Sequence, residues 1–227
     1  MEGARRSPGW ILAFLAASLA AQLAWHEAHT PLVRARESLP AAPRLAVLRL
    51  ADFGEDPAAA RLVMLYLQGF DLRGLDYHRL TTWLREALAL DPRSAYPLFA
   101  AARIFAETPD PAASRLALEF VYEAFARDPD RRWPWLAHAA LLAKHRLKDL
   151  PLARRYAAAI RMETHSPDVP AWAKEMEAFI LEDMNELEAA RVMIRDLLRA
   201  GRITDPAELR FLNEKLKELE ARQGSVR

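Results

Sequence analysis

The chain has 227 residues, of which 52% are hydrophobic and 28% are charged, a composition typical of a globular rather than a disordered protein. Its net charge is +1 and it has no cysteine, which excludes disulfides, thiolate metal sites, a cysteine nucleophile and an overall field for nucleic acid. Only 7 glycines occur, while alanine, leucine, arginine and glutamate are abundant, so the composition predicts a helical protein.

The N-terminal region carries the pattern of a membrane segment. A basic tail at residues 1–9 precedes an uncharged apolar run at residues 10–25. We interpret the run as an uncleaved transmembrane anchor, although sixteen residues span only about 24 Å of a core about 30 Å thick. A cleaved signal peptide is the alternative, because the run contains a small-x-small pair, Ser18 and Ala20. The basic tail predicts a cytoplasmic N-terminus, with the rest on the periplasmic side of a bacterial inner membrane.

Residues 26–56 follow the apolar run and are interrupted by prolines at positions 31, 40 and 43, with another at position 57. Proline removes a backbone donor and disfavours a helical conformation in the residue before it. We therefore expect a linker over residues 26–56, with one short helix near residues 43–51.

From residue 57 onward two sequence markers recur with nearly the same spacing. Prolines that follow a bulky residue occur at positions 97, 134 and 170, in steps of 37 and 36 residues. The segments LTTWLREALALDP, ALEFVYEAFARDP, ARRYAAAIRMETHSP and ARVMIRDLLRAG begin at positions 80, 117, 153 and 190, in steps of 37, 36 and 37. Two independent markers thus predict repeated units over residues 57–206.

Each unit has the pattern of two helices joined by a polar turn. Pro97, Pro134 and Pro170 suit the first turn of a first helix, where a missing N–H costs nothing. Asp149 and Asn185 are expected N-caps of second helices, with Glu188 completing a capping box for Asn185. Small residues predict close contacts of the second helices with their neighbours; they are Ala117, Ala124, Ala153 and Ala157. The tryptophans that flank the second proline, Trp133 and Trp135, are interpreted as packing residues.

This arrangement resembles the tetratricopeptide repeat, a helix–turn–helix of about 34 residues with alanines in its second helix and a proline at its end. The resemblance rests on LREALALDP and YEAFARDP, where Ala117, Ala124 and Pro129 match the family's alanines and terminal proline. The family's glycine and tyrosine are absent from the first helices, and the units are two or three residues longer. The resemblance implies an all-α solenoid of about four units at residues 57–206, closed by a capping helix and tail at residues 207–227.

Signatures of catalysis and metal binding are missing from the sequence. There is no nucleophile elbow, no HExxH and no Walker-type loop. His138 and His145 share a helix face, but two histidines without a third ligand make a poor metal site. We therefore predict a non-enzymatic protein with no catalytic residues, no metal and no cofactor.

Charge is distributed unevenly along the units. Residues 130–167 carry eight Lys or Arg against three acids, a net charge of +5, whereas residues 168–206 carry five against nine, a net charge of −4. Either neighbouring units pair their charges across an interface, or a basic patch receives an acidic segment of a partner. The second interpretation predicts a partner-binding groove on the first helices, lined by Arg103, His138, Lys144, His145 and Lys174.

The predicted function is a non-catalytic adaptor that holds a partner protein at the membrane. Two alternatives stay open: a structural subunit of a larger membrane assembly, and a soluble secreted or periplasmic binding module after signal cleavage. We expect a protein partner and a membrane contact, and no nucleic acid. The sequence identifies neither the partner nor the oligomeric state.

Overall fold

The protein is described here from a computed structural model. The structure describes residues 9–28, 38–51, 54–71, 74–201 and 203–224. Every regular element in these ranges is a helix, so the predicted all-α class is confirmed for them. The chain divides into two units, Met1–Ser38 and Leu39–Arg227, and each is described by itself.

The described element of the first unit is helix α1, Gly9–Ala28, which contains the run predicted to cross a membrane. Large apolar side chains such as Trp10 and Trp25 are exposed along it. Within the described ranges, however, no helix is both long and apolar enough to span a membrane. The prediction of a spanning helix is therefore corrected: the apolar run is shorter than a hydrocarbon core, and the last turn of α1 contains Glu27.

The second unit is built from consecutive helices, most of which follow one another in pairs. Their bounds are α2 Leu45–Ala51, α3 Asp56–Leu67, α4 Tyr77–Leu90, α5 Tyr96–Ala100 with a π-helical continuation Ala101–Phe105, α6 Pro111–Phe125, α7 Pro129–His145, α8 Leu150–Glu163, α9 Ala171–Asp183, α10 Leu187–Arg199 and α11 Pro206–Gly224. We call α3, α5, α7 and α9 the first helices and α4, α6, α8 and α10 the second helices. The members of each pair contact one another, and α4 with α6, α6 with α7 and α8 with α9 join successive pairs.

The segment predicted as a linker, residues 26–56, is described in part and includes the expected short helix as α2. Leu39 is fully buried. The carbonyl oxygens of Leu39 and Pro40 accept hydrogen bonds from the Arg79 guanidinium (2.8 Å) and the Trp83 indole (2.9 Å) of α4. This stretch is thus packed onto α4 as part of the second unit.

Aspartates cap three of the second helices. The side chains of Asp76, Asp110 and Asp149 accept hydrogen bonds from first-turn amides of α4, α6 and α8, which confirms the N-cap predicted at Asp149. The capping box predicted at Asn185 is wrong, because Asn185 has a φ of 62° in the turn before α10 and Glu186 is the N-cap residue. Asparagine tolerates this left-handed conformation better than most residues, which suits Asn185 to the turn.

The three marker prolines occupy different positions in their helices. Pro97 lies in the first turn of α5, as predicted, and Pro170 is the N-cap residue of α9. Pro134 lies inside α7, well after the helix begins at Pro129. The first-turn prediction is wrong for Pro134 because Pro129, which loses no hydrogen bond at that position, starts the helix earlier.

The core of the second unit consists of two clusters. In the main one, Ala117, Ala153 and Ala157 are fully buried, as expected for close contacts between helices. The smaller one joins α9, α10 and α11. Helix α9 connects the two, because it contributes Ala173 to the first cluster and Ala178 to the second.

Helix α11 is attached to α9 by ion pairs as well as by apolar contacts. The carboxylate of Glu182 lies 3.0 Å from Lys215 and 2.7 Å from Arg222. At the start of α11 the Asp205 side chain accepts a hydrogen bond from the Ala207 amide (2.8 Å), as an N-cap residue does. The C-terminal helix is therefore fixed at its beginning by a cap and near its end by charge.

Candidate functional site

The first helices expose one side each, and this is where the sequence placed the groove. On α7 the exposed Pro134, Leu141 and His145 and the half-buried His138 are spaced three or four residues apart, so they share one face of the helix. We call the first-helix surface the following exposed and half-buried residues of α5, its π-helical continuation, α7 and α9: Tyr96, Phe99, Arg103, Ile104, Pro134, His138, Leu141, His145, Trp172, Met176, Phe179 and Asp183.

Aromatic side chains connect neighbouring first helices along this surface. The ring of Phe99 meets Trp135 edge-on at 5.9 Å between centroids, and Trp133 meets Trp172 in the same way at 5.4 Å. Trp133 and Trp135 are half-buried in these contacts, in agreement with a packing role. Tyr96, Phe99 and Trp172 are still 37%, 37% and 49% exposed. Helices α5 and α9 therefore present exposed aromatic side chains to solvent, and the half-buried tryptophans of α7 lie between them.

Arg103 and His138 lie close enough for the charge of one to affect the other. Arg103 is exposed on the π-helical segment, and His138 is half-buried on α7. Burial lowers the pKa of His138, the positive charge of Arg103 lowers it further, and Glu107 opposes the shift. The buried Nε2 of His138 has no hydrogen-bond partner in the described part of the chain. The lowered pKa favours the neutral form of His138, and Arg103 carries the positive charge here.

Two basic residues at the end of α7 are engaged by neighbouring helices. Lys144, a predicted groove residue, forms an ion pair with Asp183 of α9. The guanidinium of Arg146 donates to the carbonyl oxygens of Glu107 and Thr108, the latter at 2.9 Å. Both side chains thus connect α7 to an adjacent pair.

Helix α8 is connected to the acidic helices after it by further ion pairs. Arg154 lies 3.6 Å from Glu177 and 3.3 Å from Glu186, and Arg161 lies 2.8 Å from Glu177. Glu177 is only 4% exposed, so its two arginine partners neutralise a charge that burial would otherwise disfavour. These contacts are the charge pairing between units that the sequence offered as the alternative to a basic patch.

The predicted groove residues do not form one track. Arg103, His138 and His145 lie on the first-helix surface, His145 being exposed at the end of α7. Lys144 is held in its ion pair, and Lys174 is half-buried on a different side of α9, where it lines a separate groove. The five residues lie on first helices, as predicted, but their side chains do not all point to one surface.

The separate groove is an open space of about 1640 Å³ between the α8–α9 connection and α10. Its walls carry charges of both signs over an apolar floor. Within the described residues, no cluster of three or more His, Asp or Glu could hold a metal. The lining of the groove includes Arg161, His165, Lys174, Glu188, Asp196, Val192 and Met193.

The exposed aromatic residues were missed by sequence reasoning. Phe99 and Trp172 each lie two residues after a marker proline, Pro97 and Pro170. The matching residue of the middle unit, Leu136, is fully buried, because Pro134 lies inside α7 and not at its start, so this shared offset alone does not mark the exposed face.

Comparison with protein-family models, with curated proteins and with solved structures finds no match for this chain.

Proposed function

We propose that the chain is a non-catalytic protein–protein interaction scaffold that binds its partner through the first-helix surface. The observation that carries the proposal is the partly exposed aromatic side chains on two first helices, Tyr96 and Phe99 on α5 and Trp172 on α9. Aromatic residues are enriched at the centres of protein interfaces, where they bury large areas at a low cost in side-chain entropy. Exposed aromatic side chains on these helices can therefore bury a large area against a partner's apolar side chains.

The proposal includes the architecture, a tetratricopeptide-like solenoid of about four units. Two features support it besides the sequence spacing. Aspartate caps recur on three of the four second helices. Lys148 and Asn185, which are 37 residues apart, both have positive φ in the turn between the helices of a pair. The same backbone conformation thus recurs at the spacing of the sequence repeat, as expected for stacked units of one kind.

The chemistry of the partner follows from the surface. Apolar side chains of the partner would cover the exposed aromatic side chains. The sequence predicted that the partner carries an acidic segment. Lys144 is already paired with Asp183, and the pKa of His138 is lowered, so we propose instead that the partner places one carboxylate opposite Arg103. Such a charge acts mainly on the association rate and its salt dependence.

We also propose that α1 holds the chain at a membrane. The support is the uncharged run of the helix, along which tryptophans are exposed near both ends. Retention in the membrane fraction after high-salt and carbonate washing tests this. A mature chain that begins near Ala21 and is recovered wholly in the soluble fraction contradicts it and supports a secreted binding module instead.

The scaffold proposal is tested by site-specific photo-crosslinking in cells that contain the chain. A photoreactive residue at position 99 or 172 should capture one protein of defined mass. Met162, which is 57% exposed on the second helix α8, provides the control position. Equal capture from position 162, or none from positions 99 and 172, contradicts the proposal.

Affinity for the captured protein gives the quantitative test. We expect Trp172→Ala to weaken binding about tenfold or more, as truncation of a central aromatic residue does. Met162→Ala should leave affinity within about twofold. Circular dichroism of both variants checks that the helices are retained.

A further inference from the structure

Four arginines converge on a second, smaller cleft, away from the first-helix surface. The cleft has a volume of about 430 Å³ and lies where the turns after α4 and α6 meet the start of α7. We call it the arginine cleft; its lining is Leu88, Ala89, Pro92, Arg93, Arg127, Asp128, Arg131 and Arg132. Its charged groups are four guanidiniums and one carboxylate.

Two of the arginines are fixed by backbone carbonyls. Arg132 is 6% exposed and donates to the carbonyl oxygens of Ala124 (2.7 Å) and Pro92 (2.9 Å). Arg131 donates to the same Pro92 oxygen at 3.0 Å. Two guanidiniums that share one carbonyl oxygen are held close together despite their like charge. Asp128 offsets part of this repulsion through its ion pair with Arg131 at 3.0 Å.

The guanidiniums of the other two arginines, Arg93 and Arg127, are unpaired in the described part of the chain. Both residues are exposed in turns. Burial lowers the pKa of Arg132 most; Asp128 opposes that shift, and the charges of Arg131 and Arg127 add to it. The cleft thus holds an excess of positive charge that an anion would relieve.

We propose that the arginine cleft binds a phosphomonoester dianion. Phosphate offers several acceptor oxygens in the geometry that the planar guanidinium matches with paired hydrogen bonds. A single carboxylate would occupy one guanidinium and leave the others repelling each other. Arg93, Arg127 and Arg131 supply donors at the mouth, and buried Arg132 supplies positive charge at the floor.

A single phosphate group fits the cleft better than a nucleic-acid backbone. Binding of a phosphate polymer needs basic residues along an extended track. Here the positive groups converge on one small cleft, and Asp91, Asp128 and Asp130 lie next to them in sequence. The net charge of the chain is only +1. A phosphorylated side chain and a small phosphate ester share the recognised group, and the experiment distinguishes these two sources.

Calorimetric titration of the full chain with inorganic phosphate and with a short phosphoserine peptide tests the proposal. We expect saturable binding that the double change Arg93→Ala and Arg127→Ala weakens about tenfold or more. The matched control is Arg199→Ala with Arg210→Ala, two exposed arginines of α10 and α11 that lie outside the cleft. Because Arg93 and Arg127 lie in turns and touch no partner, circular dichroism should show the helices retained in both variants.

The charge state of the ligand gives a second measurement that needs no variant. The second pKa of a phosphomonoester is about 6, so the phosphoserine peptide loses its second negative charge between about pH 7.5 and about pH 5.5. The affinity of the wild-type chain for this peptide should therefore fall severalfold over the same range. Tenfold preference for the phosphoserine peptide over inorganic phosphate supports the proposal with a phosphorylated partner as the source. Equal affinities support it with a small phosphate ester as the source.

Three results overturn the proposal. One is the absence of binding at about 10 mM phosphate or phosphopeptide, a concentration that would reveal even a millimolar site. Another is equal weakening by the cleft variant and its control, which would mean unspecific attraction. The third is binding of single-stranded oligouridine more than tenfold tighter than either probe and abolished by the cleft variant, which would assign the cleft to nucleic acid.

Discussion

The middle of the second unit, α6 to α8, and its C-terminal end, α9 to α11, are held together by different interactions. In the middle, fully buried alanines such as Ala117 and Ala153 let helices approach around the buried ring of Tyr156. At the end, α9 contacts α11 through the ion pairs of Glu182 and around a buried carboxyl group, that of Glu175. Stability in the middle should therefore depend on side-chain volume, whereas stability at the end should depend on charge and pH.

The largest effect is expected from overfilling the middle. Ala117→Leu adds three heavy atoms to a fully buried position on α6, which should lower the free energy of unfolding by about 1–3 kcal/mol. Ala112→Leu, at an exposed position on the same helix, is the matched control and should change it little. Urea denaturation of the two variants gives the comparison, and similar midpoints would mean that the face of α6 that packs has been misassigned.

The next effect comes from Glu175 at the C-terminal end. Glu175 is 2% exposed, and its pKa is raised to about 7, first by burial and then by the charge of Glu208. The folded pKa lies above the ordinary value of 4.5, so the protonated carboxyl stabilises the fold fully below about pH 4.5. That contribution is lost as the pH rises to about 7.

Glu175→Gln keeps this side chain neutral at every pH. It should raise the free energy of unfolding by about 1–2 kcal/mol near pH 8 and change it little near pH 4. Glu214→Gln, on an exposed position of α11, is the control and should not alter the pH dependence. Urea denaturation at the two pH values provides the readout; the same gain at both would show that folding does not raise the pKa of Glu175.

A smaller effect is expected where α11 is attached by charge. The Glu182 side chain is 16% exposed and pairs with Lys215 and Arg222. Glu182→Gln should cost about 1 kcal/mol, less at high salt. Hydrogen exchange should quicken in α11 while the amides of α6 and α8 keep their protection. Uniform loss of protection through all helices would mean that the two regions unfold as one.

The smallest effect is expected at the contact between the two regions, the ion pair of Lys144 and Asp183. Both side chains are partly solvated, so Lys144→Glu should cost only about 0.5 kcal/mol. Adding Asp183→Lys should restore most of the loss, because the pair is then reversed rather than broken. A double variant as unstable as the sum of the single changes would show that the ion pair contributes no coupling.

Local patterns were sufficient to predict much of the fold. The helices follow from composition and spacing, and the cap at Asp149 follows from a short polar side chain just before a helical run. Asn185 was misassigned because an N-cap and a left-handed turn residue favour the same amino acid, and only the path of the chain decides between them.

The candidate site was harder to predict because it depends on contacts between distant residues. Whether Lys144 is free depends on Asp183, which lies 39 residues later and reaches it only through the packing of α9. The charge of His138 depends on burial and on Arg103 from another pair. The tetratricopeptide identity, the scaffold function and the membrane location stay predictions, since each concerns partners or relatives rather than this chain's own geometry.

The π-helical segment Ala101–Phe105 has a consequence for how the first-helix surface is aligned. Its bond from the Ala106 amide to the Ala101 oxygen (2.8 Å) spans one residue more than an α-helical bond. One extra residue turns everything after it by about 100° relative to a regular helix. The Tyr77 hydroxyl donates to the Phe105 oxygen (2.9 Å), close to the end of the segment. The segment therefore sets the rotation about the helix axis between the part before it, which carries Tyr96 and Phe99, and the part that carries Arg103. Deleting one residue of the segment would restore a regular helix and rotate these two parts relative to each other by about 100°.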